Sequence, residues 1–148
     1  MRPRCVAAAL CVLLAATGCG PLSSHEYVTR ADRICTEINA QQAQLGAPDD
    51  LALRAAKGDG VLAEVQRARE RLGKLKAPNE LKVPVRTYLI NLDRHLDLQR
   101  LAVAAAKRGD AAAVRRAAVR GKRLSANLDA AARRVGFEVC GRRDARSA

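Results

Sequence analysis

Apolar residues recur three or four positions apart along nearly the whole chain, and no stretch alternates apolar with polar as a half-buried strand does. After Gly20-Pro21-Leu22, Ser23 and Glu26 have the S-x-x-E spacing of a capping box, which predicts a helix start. Tyr27, Ala31, Ile34, Cys35 and Ile38 continue it as one apolar stripe, and Gly46 and Pro48 predict its end near Leu45. Asp49 or Asp50 can cap the next segment, which Gly58-Asp59-Gly60 interrupts. The pattern there predicts a short helix to about Lys57 and another from Val61 to Leu75, or one helix kinked at the glycines. Val61, Leu62, Val65, Ala68, Leu72 and Leu75 face inward.

Lys76-Ala77-Pro78-Asn79 is a break, and a long helix is predicted from about Glu80 to Arg108, with Pro84 tolerated in its first turn. Its inward set is Leu81, Val85, Tyr88, Leu89, Leu92, Leu96, Gln99 and Val103. Gly109-Asp110 forms a turn with Asp110 as N-cap. The last helix runs to about Val135, with Val114, Ala117, Gly121, Leu124, Leu128, Ala131 and Val135 inward. Gly136 followed by Phe137 has the order of a Schellman ending. Four helical segments with short connections predict an all-α fold, an antiparallel up-down four-helix bundle. The end of the last helix then lies beside the first.

Residues 1–18 follow a different pattern. Arg2 and Arg4 precede an apolar run from Val6 to Ala16, about eleven residues where a membrane-spanning helix needs roughly twenty. The run therefore reads as the core of an export signal. Ala16-Thr17-Gly18 and then Cys19 resemble the lipobox of bacterial lipoproteins, in which a signal peptidase cuts before a cysteine that receives a diacylglyceryl group. Gly18 and Thr17 fit, whereas Ala16 stands where that pattern usually has Leu. Cleavage by an ordinary signal peptidase would instead release a free secreted protein. The expected organisation is a signal peptide at 1–18, a lipid-anchored tether at 19–23, a bundle at 24–141 and a basic tail at 142–148.

Of the five cysteines, Cys5 and Cys11 leave with the signal and Cys19 is consumed by lipid. Cys35 and Cys140 remain, in a chain bound for an oxidising compartment, and are expected to pair. A metal or catalytic thiol pair is the competing reading. No C-x-x-C supports it, and the chain has only His25 and His95 as imidazoles.

Charge narrows the partners. The chain carries a net +12, and about +10 remains once Arg2 and Arg4 are removed. Such a balance favours anionic lipid or an acidic envelope polymer, although GC-rich coding also inflates Ala, Arg and Gly together. Arg115, Arg116, Arg120 and Arg123 in the last helix are the candidate anionic contact face, with Arg142, Arg143 and Arg146 in the tail. The competing reading is an ordinary solvated helix face. Nucleic acid is not expected, because aromatic residues are 2% of the chain and an exported protein meets little of it.

Little points to catalysis. Neither a G-x-S-x-G, a P-loop nor a G-x-G-x-x-G is present. Asp93 and Asp97 lie among Arg94 and Arg100 and read as surface ion pairs. Tyr88, Asn91, His95 and Gln99 place polar groups on or beside the inward stripe and form the one candidate ligand pocket. No cofactor or metal is expected. The leading expectation is a non-enzymatic accessory or interaction module tethered outside the cell membrane. The alternative is a helical domain that binds or senses a small molecule.

Two motifs carry a wider resemblance. Y-V-x-x-A-D-x-I-C-x-x-x-N (Tyr27 to Asn39) and G-F-E-V-C-G (Gly136 to Gly141) are its most specific part. With the Leu75 to Leu81 break and the Gly109-Asp110 turn, the chain resembles small predicted lipoproteins of unassigned function abundant in actinobacteria. The resemblance implies export, an anchor on Cys19 and pairing of Cys35 with Cys140, and it transfers no catalytic residue.

Overall fold

The computed structural model describes residues 22–45 and 51–141. The expected signal peptide, Cys19, most of the tether, the Asp49/Asp50 cap and the basic tail lie outside the described residues. Helix α1 spans Ser24–Leu45, α2 Leu51–Lys74, α3 Lys82–Lys107 and α4 Ala111–Val135, with a single 3₁₀ turn at Asn79–Leu81 before α3. Among the described residues there is no strand. The four helices run up, down, up and down, an all-α antiparallel bundle.

The helix ends follow from local chemistry. The Ser23 backbone N–H donates to Glu26 Oε2 at 2.9 Å while the Glu26 N–H donates to Ser23 Oγ at 3.2 Å, a complete capping box. Asp110 caps α4 by accepting from the Ala113 N–H at 2.8 Å. Gly136 ends α4 at φ 90°, a left-handed conformation that favours glycine, and the Phe137 N–H reaches back to the Ala132 carbonyl at 3.1 Å. The long helix expected from about Glu80 begins at Lys82, because Asn79–Leu81 forms the 3₁₀ turn, and Pro84 sits in the first turn of α3.

One expectation is corrected. The chain passes through Gly58-Asp59-Gly60 as continuous α-helix, so the two pieces expected to Lys57 and from Val61 are a single α2. The reason lies on α3. Gly58 is buried, and a Cβ placed on it would stand 2.5 Å from Val103 Cγ2 and 2.9 Å from Cγ1. Glycine here disfavours the isolated helix by about 1 kcal/mol but lets two backbones approach closely. Asp59 pairs with Lys107 across the same contact.

The main core gathers at one end of the bundle. Tyr27, Ala31, Ile34 and Cys35 of α1 meet Ala68 and Leu72 of α2, Val85, Tyr88 and Leu92 of α3, and Leu128, Ala131, Ala132 and Val135 of α4. The expected inward residues of α1 and α4 are buried or half-buried. On α3 the buried arc is wider than expected and also takes in Leu98, Ala102, Ala105 and Ala106. Helix α3 is central, with α2 packed on one side and α4 on the other, so one stripe does not exhaust its buried surface.

Candidate functional site

Four regions of the bundle bear on function, the first of them around the cysteines. Cys35 and Cys140 form a disulfide with Cα atoms 5.1 Å apart. Beside it, the Asp32 carboxylate holds the segment after α4. Its Oδ2 accepts from the Glu138 N–H at 2.9 Å, and its Oδ1 from the Val139 N–H at 2.9 Å and the Cys140 N–H at 3.0 Å. Phe137 turns into the core, stacked on Tyr27 with ring centroids 6.3 Å apart and edge-on to Tyr88 at 5.0 Å. The Tyr88 hydroxyl donates to the Cys140 carbonyl at 3.2 Å.

The two motifs quoted above thus meet as one clasp. Tyr27, Ala31, Asp32 and Cys35 stand on one face of α1, and Gly136, Phe137 and Cys140 dock on them. Sequence reasoning paired the cysteines but missed Asp32. The available signal was spacing, since a carboxylate three residues before Cys35 shares its helix face.

The candidate ligand pocket on α3 resolves differently. Tyr88 is 3% exposed and engaged by Phe137 and Cys140, and burial pushes its hydroxyl pKa up. Asn91 Nδ2 donates to the Thr87 carbonyl at 3.0 Å, and Gln99 Nε2 lies 3.3 Å from His95 Nε2. The Asn91 and Gln99 side chains thus make these contacts along their own helix. Neither the cleft beside the start of α3 nor the smaller hollow over the start of α1 is lined by Tyr88, Asn91, His95 or Gln99. Phe137 is the physical reason at Tyr88, since its ring occupies the space beside the phenol.

The larger cavity is an open cleft of about 800 Å³ between the end of α2, the 75–81 connection and the start of α3. Leu22, Leu75, Ala77, Val85, Leu89 and Ile90 supply its apolar part, and Lys76, Lys82 and Arg86 stand among its lining residues. Its two carboxylates are engaged. Arg69 holds Asp93 through two bonds of 2.7 Å, and Ser24 Oγ donates to Glu80 Oε1 at 2.5 Å, which keeps the Glu80 pKa low. Asp97 pairs with Arg100 as expected, whereas Asp93 finds its partner on α2.

The fourth region is the outer face of α4. Arg115, Arg116, Arg120 and Arg123 are all exposed, as are Lys122, Arg133 and Arg134. The face is more coherent than the sequence pattern suggested, because Leu128, Ala131 and Val135 turn the opposite side inward. The salt bridges among the described residues join α1, α2 and α3 to one another or lie within α2 or α3, and none involves α4. Val119, 61% exposed, lies among the arginines.

Among the described residues, no group of three or more His, Cys, Asp or Glu side chains is placed to share a metal ion. No described helix is long and apolar enough to cross a membrane. Compared with protein-family models, curated proteins and solved structures, the chain matches none.

Proposed function

We propose that this chain is an exported lipoprotein, anchored through Cys19 to the outer face of the cell membrane, whose bundle is a non-enzymatic interaction module for an acidic envelope component. The anchor reading is supported by the order of Arg2 and Arg4, the short apolar run and the Thr17-Gly18-Cys19 sequence. A disulfide across the domain accords with an oxidising compartment. The resemblance to small actinobacterial lipoproteins points the same way.

The outer face of α4 carries the interaction reading, because its arginines are exposed and form no salt bridge among the described residues. A multivalent cationic face attracts an anionic polymer more than it stabilises the fold. Arg115 lies about 30 Å along α4 from Val135, which sits at the end where α1 begins. With a short tether, an upright bundle presents Arg115, Arg116, Arg120 and Arg123 away from the membrane.

Intact mass of the protein from membranes, beside a Cys19→Ala version, tests the anchor. Added acyl mass on a chain beginning at Cys19 supports it, and a soluble, unmodified product overturns it. Retention of the unanchored chain on an immobilised acidic polymer tests the face. Charge reversal at Arg115, Arg116, Arg120 and Arg123 should abolish retention at moderate salt without altering helicity. Undiminished retention removes α4 as the contact.

A further inference from the structure

Resting on the anchored reading, we infer that the cleft between the end of α2 and the start of α3 seats one anionic phospholipid from the membrane that carries the anchor. The position of the cleft is the first argument. Leu22 lines it, and Leu22 follows Cys19 by only three residues, a span of at most about 10 Å. A lipidated Cys19 therefore holds this opening close to the membrane surface.

Size and chemistry agree with such an occupant. A volume of about 800 Å³ is that of a ligand-sized site, and its apolar part is aliphatic. Ile90 is 43% exposed within it, and Val83, 75% exposed, stands on the same end of α3. Both are aliphatic groups in water next to cations, as expected where a surface meets the acyl–headgroup boundary. Lys76, Lys82 and Arg86 are exposed and form no salt bridge among the described residues. Of the two carboxylates that would repel a phosphate, Asp93 is paired with Arg69, and Glu80, bonded to the neutral Ser24 hydroxyl, leaves one negative charge against the three cations. The cleft thus offers an acyl chain a place along Leu75, Leu89 and Ile90, and a phosphate a cationic rim.

The test uses the exported Cys19→Ala chain, so the anchor's own acyl chains cannot occupy the site. Native mass spectrometry after incubation with phosphatidylglycerol should show one lipid per chain. Combined Lys76→Glu, Lys82→Glu and Arg86→Glu substitution should weaken this adduct by about 100-fold, given three basic contacts to an anionic lipid. Ile90→Glu, at an exposed position that leaves the core intact, should also suppress it, while reversal of the α4 arginines should leave it unchanged. No adduct, an adduct as strong with phosphatidylcholine or with glycerol phosphate alone, or one indifferent to the cleft variants overturns the inference. The anchor is read separately: a lipidated wild-type protein with no adduct sinks the cleft alone. An unlipidated wild-type protein that still takes phosphatidylglycerol sinks the anchor and leaves the cleft a lipid site.

Discussion

The two ends of the bundle are held together by different means. At the end where α1 begins, four helices surround Tyr27, Tyr88 and Phe137, and a disulfide and the Asp32 carboxylate close the chain over them. At the far end the buried residues are small. Gly58 of α2 lies against Val103, with Ala102, Ala105 and Ala106 buried on the same stretch of α3. Helix α1 contributes little there, since none of its described side chains after Cys35 is buried.

The contrast teaches that this chain, with only three aromatic residues, gathers all of them in one place. Bulk and a covalent link hold the clasped end, whereas the small-residue end relies on close backbone approach, which gains dispersion contacts without large side chains. The two candidate contact regions divide in the same way. The cleft adjoins the clasped end, and Arg115, Arg116, Arg120 and Arg123 lie toward the small-residue end.

The largest expected effect comes from opening the clasp. Reducing Cys35–Cys140, whose sequence separation is 105, should cost about 4–5 kcal/mol by chain-entropy reasoning and lower Tm by roughly 10 °C or more. Hydrogen exchange should then rise first in α1 and in residues 137–141, with the amides around Val103 still protected. Uniform loss of protection would mean the two ends are one cooperative unit.

Phe137→Ala comes next, at about 3 kcal/mol by chemical denaturation, because it empties the contact between Tyr27 and Tyr88. A loss below about 1 kcal/mol would show that the disulfide alone holds this end.

The glycines of α2 test the other end and should move in opposite directions. Gly58→Ala should destabilise by about 1–3 kcal/mol, since both Val103 methyl groups lie within 3 Å of the added carbon. Val103→Ala in the same chain should recover part of that loss, the signature of direct coupling. At Gly60 nothing lies within 4 Å of an added Cβ, so Gly60→Ala should gain about 0.5–1 kcal/mol from helix propensity. Equal effects at the two glycines would refute the close approach of α2 and α3.

Acid should produce the smallest effect, confined to the clasped end. The Ser23 N–H and hydroxyl lower the Glu26 pKa below its ordinary 4.5, and the Ser24 hydroxyl does the same for Glu80. A carboxyl whose folded pKa is depressed contributes stability above its unfolded value and loses it as pH falls through the folded one. Urea midpoints should therefore drop slightly below about pH 4.5, and Glu26→Gln should flatten that drop. An unchanged slope would mean the capping box is not populated in solution.

Much of this architecture was legible before any coordinates. Ser23, Asp110 and Gly136 set the ends of α1 and α4 because caps depend on groups within one turn of the chain. Elimination paired Cys35 with Cys140, and the up-down order of the helices brings them together. The candidate sites were less legible. Periodicity placed Tyr88 on the inward stripe but not its contact with Phe137. The cleft draws Leu22, Lys76, Lys82 and Ile90 from separate segments, and no local pattern joins them.

The sequence by itself determined where helices start and stop, which stripe of each turns inward, which cysteines join and how basic the chain is. Only the tertiary structure decided that Gly58 continues a helix, that Asp32 anchors the final segment, and that the arginines of α4 form an outer face apart from the salt bridges of the other helices. The division has a physical cause. Capping and periodicity are settled by interactions within a few residues, whereas close approach, clamping and charge pairing depend on where two distant backbones come to rest.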